Sequence, residues 1–323
     1  MCTALTYKST DHYFGRNLDY EFSYNESVTI TPRNFPLFFR KTKSIPSHYA
    51  FIGMATIDHS YPLYYDATNE HGLSMAGLNF PDNAVYYPYT DSMNNITPFE
   101  LIPWILSQCK NVNEAEKLLD KLNLVDMPYS SAYPLTPLHW FLADKNRSIT
   151  LEPLKDGLKI YENQIGVLTN NPPFDYHITN LSNYINLTAE EASNRFAPDY
   201  PIVPYSRGMG AIGLPGDLSS ASRFIKAAFT KLNSVSDSSE SASISQFFHI
   251  LSSVSQQMGC VKVGNSYEKT IYSSCCNTDK GIYYYTTYEN SQITGVCMHH
   301  TDLNGSELIS FPLTKGQHIN MAN

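Results

Sequence analysis

The order in which the hydrophobic period changes along the chain constrains its fold more than any other feature. From Thr3 to Phe80 apolar residues recur in short runs rich in Thr, Tyr, Val and Ile and edged by Gly, Pro, Asn or Asp: TALTYK (3–8), HYFGRN (12–17), SVTITP (27–32), YAFIGMATI (49–57), YPLYYDA (61–67) and GLSMAGLNF (72–80). Such runs read as strands. The period then turns helical over TPFELIPWILSQC (97–109) and NVNEAEKLLDKL (111–122), with Thr97 and Asn113 as N-caps. Pro103 falls in the first turns of the former helix, where its missing N–H costs little. Strands return at 138–144, 148–154, 158–163 and 165–170. Helices follow over 178–185, over 222–232 after the turn LPGDLSS, and over 243–257 after a polar loop that ends in an N-cap. Strand-like runs at 269–277, 281–290, 292–299 and 306–313 close the chain. Strands, helix pair, strands, helix pair, strands predict an α+β chain with two stacked sheets and helices outside. No linker or internal repeat divides it, so 1–323 reads as one domain.

Composition narrows the partners. With 42% hydrophobic and 16% charged residues the chain is a packed globular protein. A net charge of −8 without a long Lys/Arg block excludes nucleic acid and an anionic membrane surface. There is no bilayer-spanning apolar run and no basic-then-apolar start of a secretory signal. Cys2, Cys109, Cys260, Cys275, Cys276 and Cys297 lack zinc spacing, and the adjacent His299 and His300 read as surface. Reduced thiols, no metal and a cytoplasmic location are therefore expected. The 24 Tyr and 16 Phe suit strands, and they equally suit a half-buried ligand surface.

Four local features carry chemistry. Cys2 directly follows the initiator Met1. It is either a small apolar strand residue or, once Met1 is removed, a thiol and a free α-amine on one residue, nucleophile and base together. Arg16 and Asp19 in FGRNLDYEF are either an ordinary turn pair or a buried pair beside Cys2, with Asp19 holding the amine and Arg16 favouring the thiolate. Asn79 in GLNFP and Asn170 in VLTNNPP are either turn punctuation or oxyanion donors. The glycine-rich stretch before Arg223 lacks the spacing of a phosphate loop.

Taken together these features resemble one family. Met-Cys-Thr at 1–3, Gly-Arg-Asn-Leu-Asp at 15–19, Asn-Glu-His-Gly-Leu at 69–73 and Ala-Gly-Leu-Asn-Phe at 76–80 resemble the choloylglycine hydrolases. So do Leu-Thr-Asn-Asn-Pro at 168–172, Gly-Leu-Pro-Gly-Asp-Leu-Ser-Ser at 213–220 and Ser-Arg-Phe at 222–224. More narrowly, the chain is similar to the conjugated bile salt hydrolases of Gram-positive gut bacteria. The resemblance implies the N-terminal nucleophile hydrolase fold, a four-layer αββα sandwich of two stacked antiparallel sheets. It implies Cys2 as nucleophile with its own amine as base, Arg16 and Asp19 as catalytic support, and Asn79 with Asn170 at the oxyanion. Arg223 is a further catalytic-site arginine. Asn79 stands where penicillin V acylases typically have Tyr, which favours bile salts.

The implied reaction cleaves the amide of taurocholate, glycocholate and their deoxy analogues through a thioester, without metal or cofactor. Beyond Cys2, Arg16 and Asn79, the expected substrate contacts are Tyr20, Phe22, Tyr24, Tyr61, Tyr65, Tyr129 and Leu135, with the loops 59–61 and 129–136. Arg207 is expected either to read the amine's acid group or to pair with a nearby carboxylate such as Asp199. Maturation requires only loss of Met1, and an excursion around 183–210 is expected to clasp a homotetramer. An acylase for penicillin V or another N-acyl amide or lactone on the same scaffold, and a silent steroid-binding protein, are the competing expectations.

Overall fold

The hydrophobic alternation within each strand decides which layer it faces, as a computed structural model describing residues 1–323 shows. In chain order the elements are β1 (Cys2–Lys8), β2 (His12–Tyr20), β3 (Ser27–Thr31), β4 (Phe51–Asp58), β5 (Tyr61–Asn69), β6 (Ser74–Asn79), β7 (Asn94–Ile96), α1 (Leu101–Leu106), α2 (Val112–Leu119) and β8 (Leu122–Leu124). Then come β9 (Leu138–Ala143), β10 (Ser148–Leu154), β11 (Gly157–Glu162), β12 (Val167–Leu168), α3 (Phe174–Asn180), α4 (Ser220–Asn233) and α5 (Glu240–Ser252). Last are β13 (Val261–Val263), β14 (Ser266–Asn277), β15 (Ile282–Thr287), β16 (Asn290–Cys297) and β17 (Ile309–Pro312). One sheet runs β12-β1-β2-β14-β15-β16, with β13 beside β14; the other runs β11-β10-β9-β6-β5-β4-β3-β17. Every pairing within these two sheets is antiparallel.

On β9, Phe141 and Ala143 join a core shared with β1, β2, β14, α4 and α5, whereas Trp140 and Leu142 join a second core with α1 and α2. Period-two alternation thus gives the second sheet two apolar faces. The layers are α4/α5, first sheet, second sheet, α1/α2: the αββα sandwich of the N-terminal nucleophile hydrolases. Because each sheet is covered on both sides, β1 and β2 are buried almost throughout, polar residues included. Gly15 permits this closeness, since a Cβ there would lie 2.0 Å from the Ser274 carbonyl oxygen on β14.

Several boundaries differ from expectation. Asn111, not Asn113, caps α2: its extended backbone lets the side chain accept from the Glu114 N–H at 3.0 Å. The helix expected over 97–109 begins as a 3-10 turn at Pro98–Glu100, where the Glu100 carboxylate accepts from the Thr97 N–H at 3.0 Å. The helix expected over 178–185 starts earlier, at Phe174, and ends as a 3-10 turn over Leu181–Tyr184. The final strand leaves its sequence neighbours and pairs with β3 at the far edge of the other sheet. From 185 to 208 the chain forms neither helix nor strand. No helix is long and apolar enough to cross a membrane.

Candidate active site

The head of β1 lies against β2 with Cys2 opposite Leu18 and Ala4 opposite Arg16. Alternation therefore turns the Arg16 side chain to the same face as Cys2. Asp19, an odd number of residues away, must point to the other face. Both are buried and line one cavity with Cys2, but no ion pair joins them to each other.

Arg16, fully buried, donates from Nη1 to the carbonyls of Tyr65 (3.0 Å) and Gly77 (2.5 Å). Those carbonyls are available because β5 and β6 pair only from Asp66–Thr68 to Ser74–Ala76 and splay beyond. The guanidinium spans the split where a backbone ladder would have continued. Nη2 has no partner, and Arg16 lines the cavity described below. Burial opposes its charge, but Cys2, Tyr272, Asp66 and Asp19 outweigh it and hold its pKa above the ordinary arginine value. Arg16 is a buried, permanent cation.

On the opposite face Asp19 Oδ1 accepts from Thr270 Oγ1 at 2.6 Å, and Oδ2 lies 4.0 Å from Arg223 Nη1. Burial raises the Asp19 pKa, against the pull of Arg223, the chain's amino terminus and Thr270. Arg223 enters from α4, whose first turn is capped by Ser219. It donates to the Cys2 carbonyl, to Thr3 Oγ1 (2.6 Å) and to Asn170 Oδ1 (2.7 Å).

Asn170 Oδ1 also accepts from the Cys2 N–H at 2.8 Å, and its Nδ2 donates to the Asn79 carbonyl at 2.7 Å. These partners fix the amide with its oxygen toward Cys2 N and its nitrogen toward β6. Asn79 faces Leu138 in register, but Leu138 donates to the Tyr86 hydroxyl and Phe80 donates to the Pro137 carbonyl. Asn79 is therefore at a non-hydrogen-bonded position, and its backbone N–H points away from β9, toward the split.

Met1 precedes Cys2, so the Cys2 nitrogen is an amide. The Met1 amine is held by the Glu268 carboxylate and by the Asp19 carbonyl at 2.8 Å. Burial lowers its pKa below the ordinary amine value.

A cavity of about 440 Å³ opens onto Cys2. Arg16, Asp19 and Asn79 line it, as do Tyr20, Tyr24, Tyr65, Tyr129 and Leu135. Three expected contacts lie elsewhere. Phe22 is half exposed and packs on Tyr20 and Tyr24. Tyr61 sits behind the wall, against Phe99 and Tyr129. Arg207 is exposed on the irregular 185–208 segment, outside the cavity, and makes no ion pair with Asp199. Tyr133 lies in the expected loop 129–136, whereas the sequence reading missed Phe99 and Trp140, which also line the cavity, and Thr270 beneath Asp19. Their positions depend on pairings between distant segments, which no local pattern carries.

A cysteine at the head of the first strand of an αββα sandwich defines an N-terminal nucleophile hydrolase. The chain belongs to the choloylglycine hydrolase family of linear amide C–N hydrolases, whose model matches residues 2–311. It is 59% identical over 314 residues to a bile salt hydrolase/transferase of Lactiplantibacillus plantarum, covering 97% of each chain. It is 39% identical to a bile salt hydrolase/transferase of Clostridium perfringens over the whole of both chains. A crystal structure of a variant conjugated bile acid hydrolase from Clostridium perfringens superposes with a TM-score of 0.93 at 37% identity, covering all of both chains. A penicillin V acylase from Agrobacterium tumefaciens shares the fold, with a TM-score of 0.77 at 18% identity over 97% of this chain and 92% of that one.

Proposed function

We propose that this protein hydrolyses the amide bond of glycine- and taurine-conjugated bile salts, releasing the bile acid and the amino acid. The observation that carries the reading is the cavity: about 440 Å³, walled by Tyr, Phe, Leu and Pro, with Cys2, Arg16 and Asn79 in its lining. A rigid apolar steroid needs such a volume and such walls, with polar groups only at its reacting end.

In the proposed mechanism Met1 is removed and the Cys2 amine becomes the base. It takes the thiol proton as the sulfur attacks the amide carbon. The Asn79 N–H and the Asn170 Nδ2 face the oxygen as it becomes an anion. The Cys2 ammonium then gives its proton to the departing nitrogen, and a thioester remains. Water, deprotonated by the same amine, attacks the thioester and frees the thiol and the bile acid. Arg16 supplies a fixed positive charge on the face of the nucleophile. Asp19 and Arg223 hold the opposite face of the strand.

We also propose that 1–323 act as one domain, that the enzyme is cytoplasmic, and that it assembles as a homotetramer through the 185–208 segment. That segment leaves Phe196 95%, Tyr205 85% and Ile185 80% exposed, an apolar display that favours a protein partner. The activity is tested by incubating Met1-free protein with taurocholate, glycocholate and penicillin V and quantifying the released amine, which for penicillin V is the amino nucleus freed together with the side-chain acid. Rapid release from both bile salts is expected. Preferential cleavage of penicillin V would overturn the reading.

A further inference from the structure

Behind Asn170, out of the cavity, two fully buried imidazoles face two consecutive carbonyls. His139 on β9 places Nε2 3.0 Å from the Thr169 oxygen, and His177 on α3 places Nε2 2.9 Å from the Asn170 oxygen. A carbonyl can only accept, so both Nε2 atoms carry hydrogen. For His177 this leaves Nδ1 as a bare acceptor with no donor opposite. Burial pushes the His177 pKa down to about 4, so the ring is neutral near neutral pH.

His139 Nδ1 lies 3.0 Å from Glu152 Oε1. The Glu152 carboxyl group also accepts from the N–H of Phe174, the first residue of α3, at 3.0 and 3.1 Å. β9, β10 and α3 are thereby tied to one another and to the Thr169–Asn170 turn. Both rings are held flat by aromatic neighbours. Phe80 stacks on His139 at 4.2 Å and 6°, and Phe224, next to Arg223, stacks on His177 at 4.7 Å and 18°. The backbone of Asn170 is gripped from behind while its side-chain amide reaches forward to Cys2 and Asn79.

We infer that His177 and His139 are positioning residues for the Asn170 amide, aiming it at the oxyanion by clamping the Thr169 and Asn170 carbonyls. Neither ring meets substrate or moves a proton in turnover. The inference rests on the reading of Asn170 as an oxyanion donor. A donor displaced by a fraction of an ångström loses its value in the transition state while substrate binding is kept.

The test is a double-substitution cycle on Met1-free enzyme with glycocholate. His177→Phe keeps a flat ring and loses the donor; His177→Gln keeps a donor. His177→Phe is expected to lower kcat about tenfold or more with KM unchanged, and His177→Gln to recover most of that loss. In an Asn170→Ala background, adding His177→Phe should cost nothing further. A full additional loss in that background, or a raised KM at unchanged kcat, overturns the inference. If His177→Phe does not fold by circular dichroism, His139→Phe, with His139→Gln as its donor-retaining control, carries the same cycle with the same outcomes. An Asn170→Ala enzyme with unaltered kcat would instead overturn the oxyanion reading, and the inference with it. Absence of glycocholate turnover in the unsubstituted enzyme would point to the substrate class alone, and the cycle then runs on the conjugate that is cleaved.

Discussion

Arg16 and Asp19 show how a spacing acquires meaning only once the element is known. On a turn, residues three apart can pair; on a strand they point to opposite faces. Both sit inside β2, so Arg16 shares the face of Cys2 while Asp19 joins Thr270 and Arg223. Charge is thus arranged around Cys2 in two separate sets. The proposed nucleophile, Cys2, is the sharpest point of attack. Cys2→Ser keeps the size of the side chain but replaces a readily ionised thiol with a hydroxyl that the amine deprotonates poorly. Release of glycine or taurine should fall by at least about 10³-fold. Turnover within tenfold of the unsubstituted enzyme would rule out Cys2 as nucleophile. Cys2, Arg16, Asp19, Asn170 and Arg223 were legible as candidates because each stands in a distinctive local sequence. Thr270, His139, Glu152 and His177 were not, since each acquires its partner only through strand register or helix docking.

At the scale of elements, the order of strands and helix pairs was legible from the change of hydrophobic period, and the layer order follows from it. The short pieces were not. β7 and β8 are three residues each, too short to show a period. The destination of β17 also escaped notice, because an alternating run does not say which sheet edge it will join. Asn113 was a plausible cap by composition; only the extended backbone of Asn111 decides for the latter. Gly15 illustrates a constraint invisible in the pattern. It lies in a strand, where glycine is ordinarily a weak choice, yet a Cβ would lie 2.0 Å from the Ser274 oxygen of β14. That atom is backbone and cannot swing aside, so β2 and β14 would have to separate. Gly15→Ala should destabilise the fold by about 3 kcal/mol or more, at the upper end of overpacking costs. Urea unfolding measures it, and a midpoint equal to that of the unsubstituted protein would show that the strands can part without penalty.

At the scale of the whole molecule two properties remain, association and acid response. The exposed apolar side chains of the 185–208 segment predict a tetramer by sedimentation velocity at micromolar concentration, and Phe196→Asp should shift the protein to smaller species. A stable monomer before substitution would remove the basis for the clasp. Acid response follows from buried histidines. Burial lowers the His12 pKa to about 4, against weak opposing pulls from Asp279 and Asp144 and with help from Lys231 and Lys8. An unfolded histidine takes up its proton near 6.5, so the unfolded state binds the proton first as pH falls. The stability contributed by a neutral, buried His12 is therefore complete above about pH 6.5 and is lost progressively toward pH 4. His177 acts in the same direction over the same range. Asp19, Asp66 and Glu100, whose pKa values burial raises, act in the opposite direction and flatten the overall curve. The His12 contribution is best seen as a difference. Between pH 7 and 4.5 the unsubstituted protein should lose about 2–3 kcal/mol relative to His12→Gln, because only the former has a ring that the unfolded chain can protonate. Urea unfolding of both proteins at a series of pH values gives that difference directly. A difference independent of pH would mean that His12 is protonated as readily in the folded protein as in the unfolded chain.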